Sequence, residues 1–357
     1  MSMNEPRLYG IFHSNRHGDD FWGKNQFNSS FPVSLACYMR DHDINAVYLT
    51  INEDLEVVSS EISIDEVFNT TEPNSQLTFD FEAEFSPYAT YAYDSIRGID
   101  LVVKHNDDYL RPLEIKLTVL PDQTTFMKPE DEWGSEIVIR PASTSYSALG
   151  IAHSCRDSFP LVRDIIEPVW RKIKYWGSQH EIMANKEGIL EALNNFQRQF
   201  YTVQQPFLLQ PVWKTQGKSP LLNEHHAFDI FVWSDFALCR AFLDSSSNAT
   251  SVTRYLRASA RLARILYDIS TRGRANLQDI YTEMALGFQT DKEFSLNGRV
   301  THKYMRSERL TNPAIPMRAL QDIILNGGYR KLSPERRFDQ TIYFTAAHLF
   351  EDIEESD

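Results

Sequence analysis

The sequence predicts a mixed α/β protein: a sheet-centred core in the first part, flanked by helices, followed by a helical and loop-rich region. Three observations predict it. Residues 45 to about 120 carry apolar runs that alternate with period two and are broken by turn residues. From about residue 158 the apolar spacing changes to the helical period. The charge changes as well: residues 1–150 hold 10 Lys/Arg against 25 Asp/Glu, a net of −15, whereas residues 250–350 hold 16 against 9, a net of +7.

Taken in order, "NSSFPVSLACYMRDHDI" reads as a helix, with Ser29 or Ser30 as cap and Pro32 in the first turn. "NAVYLTI" (45–51) and "LEVVSSEISI" (55–64) read as strands joined by the turn "NED". "LTFDFEAEF" sets Phe79, Phe81, Ala83 and Phe85 on one face and Asp80, Glu82 and Glu84 on the other. "RGIDLVVKHNDDYLRPLEIKLTVLPD" (97–122) follows as a hairpin. "PLVRDIIEPVWRKIKYW" and "NKEGILEALNNFQRQFYTV" read as helices, and "FDIFVWSDFALCRAFL" as a strand passing into a helix. "SVTRYLRASARLARILYDISTRG" is the clearest helix, with Ser or Thr at its start and Gly273 past its end. The segment 288–337 reads as basic loop, and "TIYFTAAHLF" as a last strand or short helix. A division into residues 1–155, acidic, and 156–357, mostly helical and basic, is the expectation.

Composition excludes several classes. With 42% hydrophobic and 12% aromatic residues, the 357-residue chain has ample material for a core. No run of 18 apolar residues is present, and the start lacks the pattern of a signal peptide. Cys37, Cys155 and Cys239 show no metal-ligand spacing and fit reduced thiols in a cytoplasmic protein. The ten histidines show no HExxH spacing, "NGGYRK" is too short for a phosphate loop, and no GxSxG motif appears.

The hairpin carries the chemistry. Ile99, Leu101 and Val103 fall on one face of its first strand and Asp100 on the other; Glu114 and Lys116 share a face of the second. A tight turn centred on Asp107 pairs residues whose numbers sum to 214, which sets Asp100 opposite Glu114. Opposed residues have Cβ atoms roughly 4.5–5.5 Å apart, so the two carboxylates repel. A Mg²⁺ ion relieves that repulsion, since it takes hard oxygen ligands and is often held by one or two carboxylates plus substrate phosphate oxygens. It also eases deprotonation of a bound water, and an adjacent ammonium orients that water or stabilises the phosphorane. These are the parts of phosphodiester hydrolysis. A polar edge hairpin with a surface ion pair would show the same residues.

"IDLVV…LEIKLTVLPD" resembles the core of the PD-(D/E)xK nucleases. The wider wording, "FWGKNQFNSSFP" and "EFSPYATYAYDSIRGIDLVV…LEIKLTVLPDQTTF", resembles the HindVP/HgiDI group of type II restriction endonucleases. The resemblance implies a restriction-endonuclease-like fold with Asp100 and Glu114 as metal ligands, Lys116 as catalytic lysine, and Mg²⁺ as cofactor. The superfamily's leading Pro-Asp is Ile99-Asp100 here. An upstream acid often joins the metal site; Glu84 is the candidate and Glu82 its rival. The resemblance further implies cleavage of double-stranded DNA at a palindrome such as GRCGYC, a companion methyltransferase in a prokaryotic cytoplasm, and a homodimer with one active site per strand. A repair nuclease on the same core, or a DNA-binding regulator with a structural acid pair, are the alternatives.

For DNA contact the candidates are Arg254, Arg257, Arg261 and Arg264, which share a helix face, and the loop residues Arg299, His302, Lys303 and Arg306. Asn25 and Asn28 in "KNQFNSSF" offer amides suited to groove or phosphate contacts. A solvated or internally paired face would explain the helix arginines equally well.

Overall fold

Short β-branched and aromatic runs assemble into a seven-stranded mixed sheet in the computed structural model. The structure describes residues 45–69, 77–96, 98–105, 108–115, 137–212, 215–216, 221–222, 229–288 and 294–296. The expected helix near residue 30 and the element "TIYFTAAHLF" lie outside the described residues.

β1 (Ala46–Ile51) and β2 (Val57–Ile62) form a hairpin whose turn places Leu55 in the left-handed region, φ 64°. α1 (Ile64–Phe68) starts on a capping box, with Ser63 and Glu66 satisfying each other's backbone N–H. β3 (Leu77–Ala83), α2 (Ser86–Ala89), β4 (Ile99–His105) and β5 (Asp108–Ile115) follow. After β6 (Ile137–Ile139) come α3 (Pro141–Ser154), α4 (Phe159–Trp170), α5 (Gln179–Ala184) and α6 (Lys186–Phe200). β7 (Pro206–Val212), the short β8 (Thr215–Gln216) and β9 (Leu221–Leu222), and β10 (Asp229–Ser234) return the chain to strands. α7 (Asp235–Ser247), α8 (Arg254–Arg272), α9 (Leu277–Glu283) and β11 (Phe294–Leu296) complete the described chain.

The sheet order is β2-β1-β10-β7-β5-β4-β3, with β1/β10 and β5/β7 parallel and the other neighbours antiparallel. β7 and β10 therefore lie between β1 and β5. The expected division at residue 155 cuts through this sheet instead of separating two bodies, because strands from both sides of it share one ladder.

One face of the sheet is covered by helices. Val47, Leu49, Val102, Phe207, Phe231 and Trp233 join the buried residues of α3, α4, α6, α7 and α8 in one core. α8 lies at its centre, against α3, α4, α6 and α7. It begins where Thr253 accepts from Leu256 N and ends at Gly273, whose φ of 79° suits a residue without Cβ. Among the described residues no helix is long and apolar enough to cross a membrane.

α3 is the element the sequence hides. "PASTSYSALGIAHS" has no apolar stripe because almost every side is packed: residues 143 to 152 are all buried. Helical periodicity marks helices with one wet face, and this one has none.

Candidate active site

Gly98, at φ 87°, turns the chain into β4 through a conformation that side chains other than glycine rarely adopt. β4 then pairs with β5 as Leu101↔Leu113, Val102↔Pro112 and Val103↔Arg111, and nearer the turn as Lys104↔Tyr109 and His105↔Asp108. The register beside the acids is the expected one, but it arises differently. The turn is one residue tighter than a turn centred on Asp107, and an irregularity between Val103 and Lys104 leaves Leu110 as an extra residue. Without that bulge Glu114 would fall on the face opposite to Asp100.

With it, the ladder extends to place Asp100 across from Glu114, on the face that Val102 shares with the helical core. Both carboxylates are buried, at 8% and 6% exposure. Asp100 Oδ2 accepts a hydrogen bond from Ile115 N at 2.9 Å, which ties it to the strand just beyond Glu114. Ser143, in the first turn of α3, donates its hydroxyl to Glu114 Oε1 at 2.7 Å. Two carboxylates a strand apart in a poorly solvated place repel, and their hard oxygens suit a divalent cation whose remaining positions go to water and substrate.

Glu84 is half-buried and follows the last residue of β3. The pairs Phe81↔Leu101 and Ala83↔Ile99 put position 82, not 84, across from Asp100. Asp80, also on the Asp100 face, is engaged by Lys104 Nζ at 2.5 Å. Among the described residues no group of three or more His, Cys, Asp or Glu is placed to hold a metal. Lys116, Asn25, Asn28, Arg299, His302, Lys303 and Arg306 lie outside the described residues.

The arginine face of α8 requires correction. Arg257 and Arg261 are 2% and 4% exposed. Arg261 donates to Met284 O at 2.7 Å and lies over the Tyr281 ring, and Arg257 lies over the Phe288 ring. Arg264 bonds Asp268 at 3.1 Å, approaches Glu283 and covers Trp170. These three guanidinium groups fasten α8 to α9, α4 and the chain beyond α9, and so do not form a DNA-facing stripe. Arg254, half-exposed at the start of α8, is placed differently.

A further buried acid escaped the sequence. Asp235 opens α7, and its Oδ1 accepts from Phe236 N at 2.8 Å and Gln205 N at 3.2 Å. Burial pushes its carboxyl up to about 7, against the opposing pull of those N–H groups and of Arg111. Arg111 projects from β5 on the face away from Glu114 and donates to Gln205 Oε1 at 2.5 Å. "FDIFVWSDFALCRAFL" reads as a strand passing into a helix, and nothing in that pattern announces burial of the aspartate.

The family model described as HindVP restriction endonuclease matches residues 22–350, a span that includes the hairpin and every helix described above. The chain belongs to this family. The type II restriction enzyme HgiDI of Herpetosiphon aurantiacus is 38% identical over 357 residues, covering 98% of this chain and 99% of the relative. The probable type II restriction enzyme HindVP of Haemophilus influenzae is 40% identical over 351 residues, covering 97% and 95%. No solved structure matches the chain. Asp100 and Glu114 lie within the matched span, and among the described residues they are two buried acids that one ladder position brings together.

Proposed function

We propose that this protein is a type II restriction endonuclease that hydrolyses duplex DNA at a short palindromic site, with Asp100 and Glu114 holding Mg²⁺. The observation that carries the reading is the register of the β4–β5 hairpin: two buried carboxylates face each other in a chain whose full-length relatives are named type II restriction enzymes. The restriction-endonuclease-like core is supported by the mixed sheet with its helical cover. The ion, when bound, supplies a more acidic water and stabilises charge on the phosphoryl oxygens. Asp100 and Glu114 fix its position, and Lys116 acts on the attacking water or the phosphorane. Of the two upstream candidates, Glu84 and Glu82, the β3–β4 register favours position 82.

The basic residues Arg299, His302, Lys303 and Arg306, with Asn25, Asn28 and Arg254, are assigned to DNA contact. A homodimer cuts the two strands of the palindrome, and a companion methyltransferase protects host DNA. The test is digestion of a sequenced plasmid containing GRCGYC sites, with fragment ends sequenced. Discrete fragments with Mg²⁺ and none in EDTA support the reading. Mg²⁺-dependent cleavage at other fixed sites would move the recognition sequence alone, whereas nicking without sequence preference would overturn restriction.

A further inference from the structure

We infer that Ser143 is the positioning residue for Glu114: its hydroxyl fixes the carboxylate in the orientation that receives the cation. This rests on the reading of Asp100 and Glu114 as metal ligands. The argument begins with what hydroxyls in a buried helix ordinarily do. α3 buries Ser143, Thr144, Ser145 and Ser147 together. A serine or threonine inside a helix satisfies itself by bonding the carbonyl four residues back. Thr144 does so to Arg140 O at 3.4 Å and Ser145 to Pro141 O at 3.1 Å. For Ser143 the residue four back is Ile139, which belongs to β6 and precedes the helix. Its hydroxyl instead crosses to another element and donates to Glu114 Oε1 at 2.7 Å, the short distance expected of a charge-assisted bond.

The geometry leaves little freedom. Ser143 is 1% exposed, and the residues on either side of it are held by Pro141 at the first helical position and by the buried helix that follows. A serine on so rigid an element orients a carboxylate more sharply than a loop residue or water would. Asp100 is fixed independently by Ile115 N. The two ligands are thus aimed by different elements, one by the strand and one by α3. Groups that orient metal ligands in this way alter metal affinity without touching the ion, typically by about 10–100-fold.

The experiment measures Mn²⁺ binding by electron paramagnetic resonance on the full-length protein, alongside thermal unfolding in EDTA. Ser143→Ala is expected to weaken Mn²⁺ binding about 10–100-fold while leaving the unfolding temperature in EDTA within a few degrees. Ser143→Thr, which restores the donor, is expected to recover most of the affinity. Ser143→Cys, close in volume and a weaker donor, should fall between them and reads the effect should the alanine variant fold poorly. Parental Mn²⁺ affinity in both the alanine and cysteine variants would overturn the positioning role. Asp100→Asn and Glu114→Gln run in parallel: if these two also bind Mn²⁺ like the parent, the ligand assignment itself fails, and the two failures are told apart.

Discussion

The β4–β5 hairpin and helix α8 both put charged side chains where water is scarce, and they surround those charges differently. In the hairpin, Asp100 accepts from Ile115 N and Glu114 from the Ser143 hydroxyl, and these neutral donors orient the two carboxylates. Along α8, Arg261 meets two backbone carbonyls and the Tyr281 ring, and Arg264 meets two carboxylates and the Trp170 ring. The first arrangement sets two acids side by side, the pair proposed above to hold the cation. The second turns its charges inward, onto carbonyls, carboxylates and rings of the fold. Burial of a charge therefore says little by itself; the partners decide whether the group does chemistry or holds helices together.

The largest effect should come from the hairpin. Asp100→Asn and Glu114→Gln are expected to lower cleavage of plasmid DNA by about a thousandfold or more, the equivalent of several kcal/mol of charge stabilisation. Their thermal unfolding in EDTA should stay close to the parent's, since Asn and Gln keep an acceptor oxygen for Ile115 N and the Ser143 hydroxyl. A variant that lost cleavage only in proportion to its loss of folded protein would put these acids in the structural class with Asp235.

Asp235 sharpens the comparison because it too is a buried acid held by neutral N–H donors, but its charged neighbour is Arg111. Its carboxyl, ordinarily near 3.8, is raised to about 7 by burial. The folded protein thus holds this proton more tightly than the unfolded chain. The associated stability is complete below pH 4 and is lost as the pH rises through about 7. The shift corresponds to about 4 kcal/mol at most. Asp235→Asn keeps the Oδ1 acceptor for Gln205 N and Phe236 N and removes the ionisation. Denaturant unfolding should find it no more stable than the parent at pH 4 and more stable by about 2–4 kcal/mol at pH 8. Cleavage by the folded protein should stand, in contrast to Asp100→Asn.

Arg261 tests the other side of the comparison. Arg261→Ala breaks hydrogen bonds from a charged donor and a desolvated ring contact, and is expected to cost about 2–3 kcal/mol of stability. DNA affinity per folded molecule, and its salt dependence, should match the parent's. A reduced salt slope would return this arginine to the DNA-binding surface.

What the sequence revealed and concealed follows the same division. The hairpin was legible because strand alternation converts residue number directly into face, and the acids needed only the right register. Even there the bulge at Leu110 was invisible, since nothing in "HNDDYLR" distinguishes a three-residue turn from a tighter one with a bulge. The span of α8, with its Thr253 and Gly273 ends, was legible from periodicity and caps. Its arginine spacing correctly assigned a shared face, but spacing carries no information about what lies opposite. Tyr281 and Met284 sit more than fifteen residues beyond Arg261, as Phe288 does beyond Arg257, and only the folded chain brings them together. α3 was missed for a related reason: a helix packed on nearly every side shows no stripe, so Ser143, the group that reaches Glu114, gave no signal.

The smallest expected effect belongs to Arg254, and it decides how far the α8 correction extends. Arg254 shares the helix face of Arg257, Arg261 and Arg264 but is half-exposed, at the first helical position. Its guanidinium is therefore accessible to a phosphate in a way that the two buried arginines are not. Arg254→Ala should leave unfolding within about 0.5 kcal/mol of the parent, as surface substitutions do. If a DNA phosphate rests there, log affinity against log salt should lose about one unit of slope, with equal weakening for cognate and unrelated duplexes, because phosphate contacts carry no sequence information. A fluorescence-anisotropy titration in Ca²⁺ at several salt concentrations reads both quantities. An unchanged slope would remove the last arginine of this face from the DNA surface and leave recognition to the basic segment beyond residue 296.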